Sequence, residues 1–151
     1  MPRQAQVRHA IAAAAARLMA EDGIDDFAIA KRKAARQLGV VDAQALPRND
    51  EIETELRVYQ SLFQGDEQAA RLKHLRGLAA AIMRDLAEFR LYLTGQVLTG
   101  TAARYGGIDL LAFTDDAKSL ELLLLARGVE CRHNTQRRAV GSEERLIQVL
   151  E

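Results

Sequence analysis

Residues 91–113 bring together the residue types that let a backbone come close to a ligand. The stretch reads LYLTGQVLTGTAARYGGIDLLAF. Gly95 and Gly100 lie five apart, and a residue without Cβ tolerates both φ > 0 and close approach of a ligand to the backbone. Thr94, Thr99 and Thr101 set hydroxyls around the same turn, and Asp109 is the one carboxylate on the apolar run that follows. Ordinary turn glycines and an exposed acid on an edge strand are the alternative reading of these positions.

Other residue types offer less. Lys31, Arg32, Lys33 and Arg36 form a basic cluster, which reads either as a solvated helix face or as a contact for nucleic acid. Cys131 and His133 flank Arg132, but a zinc site needs a second ligand pair, and none is spaced for it. His9 and His74 have no neighbouring nucleophile or acid in sequence. Ser142-Glu143-Glu144 reads as a turn, and no Ser–His–Asp order is recognisable.

The elements that must position these groups change in kind near Phe89. Before it, Val7, Ile11, Ala14, Leu18 and Met19 fall on one face of a first helix ending near Gly23. A second helix is expected over Asp26–Leu38, stopping at Gly39. A third starts near Pro47 and Asn49 or Asp50, with Asp50 and Glu53 spaced as a capping box, and packs Ile52, Leu56, Tyr59, Leu62 and Phe63. Asp66 is placed to cap a fourth, whose stripe is Leu72, Leu75, Ala79, Ile82, Met83 and Leu86. After Phe89, Leu91–Leu93 and Ile108–Phe113 have strand character. A helix over Asp116–Ala126 follows, then strands over Val129–Asn134 and Arg145–Leu150, joined through a polar turn at Gly141-Ser142. The expected fold class is α+β: about four helices in 1–88, packed on a small mixed β-sheet in 89–151.

Composition narrows the classes further. A chain of 151 residues suffices for one domain, or a small one with an extension. Its 21 basic and 21 acidic residues cancel, so no global field draws it to nucleic acid or an anionic surface. One cysteine excludes an intramolecular disulfide and suits a reducing, cytoplasmic location. No apolar run approaches the roughly 20 residues that span a bilayer, so no membrane partner is expected. Ala10–Ala16 is too closely followed by Arg17, Glu21 and Asp22 to read as a signal-peptide core.

The 91–113 layout resembles the core of the nucleotidyltransferase superfamily, the polymerase-beta-like fold. That family's motif is a strand ending in Gly-Ser, a short helix with Arg and Gly, and a strand with acids two apart in the pattern Ser-Asp-x-Asp-Leu. Gly95 matches the first glycine, with Gln96 in place of the serine. Gly100 matches the later glycine, with Thr99 in place of the arginine, while Arg104 lies just beyond. The acid pair falls at Gly107 and Asp109, followed by Leu110. The resemblance therefore implies a nucleotide or other phosphate-bearing ligand, held by Gly95, Gln96, Thr99, Gly100, Thr101 and Arg104. It implies Mg²⁺ as the cation, Asp109 as the catalytic and metal-binding acid, and Glu130 as the later-strand acid. Residues i and i+2 on a strand share a face, so two acids there chelate together. With Gly107 in the first position, transferase activity is expected to be weakened or lost.

Two other classes compete. The abundant Leu and Ala stripes fit a non-enzymatic interaction protein, most simply a homo-oligomer. Residues 8–40 are similar to the first helices of tetracycline-repressor-type DNA-binding regulators. However, no short turn and recognition helix follows Gly39.

Overall fold

The structure is a computed structural model that describes residues 2–41, 46–140 and 143–151. In chain order it contains α1 (Pro2–Asp22), α2 (Phe27–Gln37), α3 (Asn49–Phe63), α4 (Gly65–Asp85), a 3-10 turn (Ala87–Phe89), β1 (Leu91–Thr94), α5 (Gly95–Thr99), β2 (Asp109–Ala112), α6 (Ala117–Ala126), β3 (His133–Val140) and β4 (Glu143–Leu150). The α+β class is as expected. Its strands fall into two pairs, β1 with β2 and β3 with β4, rather than one sheet.

The helical core is built on small residues. Ile11, Ala12, Ala15, Ala16, Met19 and Ala20 of α1 bury against Ala30, Ala34 and Ala35 of α2 and Ile52 and Leu56 of α3. Alanine at these contacts lets helix axes approach closely, while Ile11, Met19, Ile52 and Leu56 supply the volume. Full burial of each such large side chain contributes about 1.5–3 kcal/mol. Polar links fix the same helices at their edges. The Tyr59 hydroxyl donates to Glu21, Lys33 Nζ pairs with Asp22 at 2.8 Å, and His9 Nδ1 lies 3.3 Å from Glu55.

Helix ends follow sequence chemistry, with adjustments. Asp26 caps α2 by accepting the Ile29 N–H at 2.9 Å, and Gly23 and Gly39 take positive φ where α1 and α2 end. At α3 the residue before the helix is Arg48, which has no side-chain acceptor. Glu51, rather than Glu53, closes this end by accepting the Arg48 N–H at 2.6 Å. Asp66 lies inside the first turn of α4 instead of capping it. Asp116 caps α6, taking the Ser119 N–H at 3.0 Å.

The apolar stripe of α4 meets the core least. Of its expected contacts only Ala79 and Leu86 are buried, and Ile82 is exposed, because the helix packs toward α5 and β1. Leu62 and Phe63, at the end of α3, are exposed as well.

Two compact units result. One holds the residues up to Ala87 together with Leu91–Leu111; the other holds Glu88–Arg90 and Ala112–Glu151. In the first unit β1, α5 and the start of β2 cluster with the helices. In the second unit β3 and β4 pair antiparallel, from His133 opposite Leu150 to Val140 opposite Glu143. Glu121 of α6 reaches His133 Nε2 at 2.8 Å. The Gly141-Ser142 turn lies outside the described residues. Among the described residues no helix is long and apolar enough to cross a membrane.

Candidate functional site

β1 and β2 are hydrogen-bonded neighbours, so the end of one strand and the start of the next come together. Gly95, the first residue of α5, has φ +70°, and a Cβ built there falls 3.2 Å from both Cβ and Cγ of Asp109 and closer still to its Oδ2. Two independent constraints thus demand glycine at 95: a left-handed backbone, and an acid occupying the space a side chain needs. Asp109 itself is exposed on its strand.

α5 is a single turn closed by Gly100 at φ +83°. Beyond its first residue the turn faces inward. Gln96 is buried, with its Oε1 accepting the Ala103 N–H at 3.3 Å. Its backbone carbonyl accepts the Gly100 and Thr101 N–H groups at 3.0 and 2.9 Å. Thr101 is buried, and its hydroxyl meets that of Thr99 at 2.8 Å. Gln96, Gly100 and Thr101 therefore hold the turn's own shape. Arg104 is exposed just beyond it.

Four residues that sequence reasoning missed grip this turn from outside. Arg76 of α4 donates from Nε to Val97 O and from Nη2 to Leu98 O, both at 3.0 Å. Arg57 of α3 donates to Thr99 O at 2.7 Å while pairing with Glu53. Gln68 of α4 donates to Gly100 O, and the buried Gln60 of α3 to Thr101 O, both at 2.9 Å. Their signal was present: Gln60 follows Ile52 and Leu56 at helical spacing, a polar residue in register with an apolar stripe.

The candidate acids each belong to their own unit. Gly107, at the first acid position, is exposed, and a Cβ there would meet nothing within 4 Å. Glu130 is exposed ahead of β3 in the second unit. Among the described residues no group of three or more His, Cys, Asp or Glu side chains is placed to hold a metal ion. The donor set thus does not fit the two-metal Mg²⁺ arrangement the resemblance implies.

The remaining candidates have these local partners. Lys33 is engaged by Asp22 and Arg32 donates back to Ala28 O, while partial burial pushes the Lys31 ammonium below its ordinary pKa. Cys131 Sγ contacts Val129 O at 3.8 Å. No protein family, curated protein or solved structure matches this chain.

Proposed function

We propose that this chain is a degenerate nucleotidyltransferase-like protein that binds a nucleotide or another phosphate-bearing ligand at Gly95 and Asp109. It transfers nucleotides poorly or not at all. The observation that carries this reading is the Gly95–Asp109 juxtaposition: a glycine at positive φ, backed directly by the acid of the next strand. Thr94 places no side-chain cap on α5, which leaves the Gly95 end of the turn as the side for a ligand, with the exposed Arg104 just beyond the turn. Asp109 fills the space beside Gly95, so a phosphate bound there needs a cation against that carboxylate, and this reading assigns Arg104 as its charge-assisted donor. A lone Asp109 holds no pair of metal ions, so the chemistry of in-line transfer is not provided for.

Calorimetry with ATP, CTP, GTP and UTP, with and without Mg²⁺, tests this. Binding weakened at least 10-fold by both Gly95→Val and Arg104→Ala is the expected result. No detectable binding of any nucleotide at millimolar concentration would end the reading. Robust Mg²⁺-dependent transfer, abolished by Asp109→Asn, would show that catalysis survives. Gly107→Asp sharpens the question. Space is open there, so the change should cost under about 0.5 kcal/mol of stability, typical of an exposed site, and create Mn²⁺ affinity the parent lacks. Unchanged Mn²⁺ binding would place residue 107 away from the Asp109 face.

A second reading, an interaction protein forming a homodimer, rests on Val58, Leu62 and Phe63. These three residues of α3 stay exposed, and large apolar side chains left at the surface fit an interaction face.

A further inference from the structure

We propose that Arg76, with Arg57, Gln60 and Gln68, positions the Gly95–Asp109 site by fixing the far end of α5, an inference that rests on the nucleotide-binding reading above. A five-residue helix is too short to persist alone, because nucleation is unfavourable and only one or two intrahelical bonds reward it. Its last carbonyls also lack backbone partners. Here the five successive carbonyls from Val97 to Thr101 each receive a side-chain donor, shared between α3 and α4. Two of the donors are guanidinium groups, whose charge is favourable at the negative end of a helix. Arg76 alone contributes a fork of two bonds to adjacent carbonyls, a geometry that the point charge of lysine cannot reproduce.

The mechanical consequence runs through a single turn. Gly95 and Thr99 are the two ends of α5, so an error in the gripped end is carried to the residue that lies against Asp109. On the same side, a Cβ added at Gly100 would come into ordinary contact with Leu72 and Arg76, 3.6 Å from each. The helical half of the chain thereby acts as the jig for the ligand turn. This accounts for β1, α5 and the start of β2 clustering with the helices.

The test uses the full chain with two readouts. Amide hydrogen exchange at Gly100 and Thr101 reports the turn directly, and calorimetry with the same four nucleoside triphosphates reports the site. Arg76→Ala should accelerate exchange at both amides at least 10-fold, leave Ile11, Ala15 and Leu56 unchanged, and weaken nucleotide binding at least 10-fold. Arg76→Lys, which keeps the charge and loses the fork, should restore part of both effects, and Arg84→Ala on the exposed side of α4 neither. Unchanged exchange in Arg76→Ala overturns the proposal. So does accelerated exchange with nucleotide affinity intact, since the turn would then not govern the site. If Arg76→Ala fails to fold, Arg57→Ala, which removes the single donor to Thr99 O, is read by the same criteria. Should the parent chain bind no nucleotide, the function fails while exchange still decides whether the residues fix the turn.

Discussion

At the scale of single residues, Gly95 carries the most information. A non-glycine residue at φ +70° costs about 1–2 kcal/mol, and crowding a packed position costs about 1–3 kcal/mol more. Gly95→Ala should therefore destabilise by about 2–4 kcal/mol, the sum of these backbone and crowding costs. The two causes are separable. In an Asp109→Ala background the carboxylate is gone and only a Cβ contact at 3.2 Å remains. There Gly95→Ala should cost little more than the backbone part, about 1–2 kcal/mol. Urea unfolding of the four proteins in this cycle measures the coupling. Equal penalties in both backgrounds would mean that Asp109 does not occupy the space beside Gly95. Gly95 and Asp109 stand out in the sequence because a glycine and an acid interrupt apolar neighbours. Type and spacing do not reveal which way the groups of a turn face. Here the Gln96 side chain and backbone carbonyl bond within the turn and its approach to Ala103.

Elements follow from periodicity where one face is buried and mislead where it is not. The stripe of α1 and the first half of α3 predicted the core because Ile11, Ile52 and Leu56 are enclosed. The same logic extended to Leu62, Phe63 and Ile82, which stand in equally good register yet remain exposed. Register identifies a face, not what covers it. The link between α1 and α3 gives a prediction at this scale. The hydrogen bond from the Tyr59 hydroxyl, seconded by Arg17, holds the Glu21 carboxyl below its ordinary pKa. The same bond to Glu21 holds the Tyr59 phenol above its own. A depressed acid contributes stability that is lost as pH falls through its folded pKa. A raised phenol contributes stability that is lost as pH rises through its folded pKa. The stability gap between parent and Tyr59→Phe should thus be widest between about pH 5 and 9, inside the ordinary carboxylate and phenol values. It should close toward both extremes. Urea midpoints across pH measure it, and a gap constant from acid to alkali would mean that the hydroxyl does not face Glu21.

For the whole molecule, what remains is the apolar surface presented by the helices of the first unit. Phe63 is 70 % exposed and Leu62 69 %, with Val58 one turn back; Tyr59 stacks on Phe63 with ring centroids 4.7 Å apart. If the interaction reading holds, these residues meet their counterparts across a two-fold axis, since an isologous interface uses one patch twice. The parent should scatter light as a dimer at micromolar concentration. Phe63→Asp should scatter as a monomer while its unfolding free energy per chain changes by under about 0.5 kcal/mol, as expected of an exposed site. Leu56 is the necessary contrast. It lies on the same helix but is fully buried, and a carboxylate placed there without a partner is costly enough to unfold a marginal domain. Leu56→Asp should therefore lose its helical circular dichroism rather than yield a folded monomer. A parent that is already monomeric would remove the dimer and leave the nucleotide reading untouched. A Phe63→Asp protein that unfolds would instead assign the residue to the folding core, against its exposure.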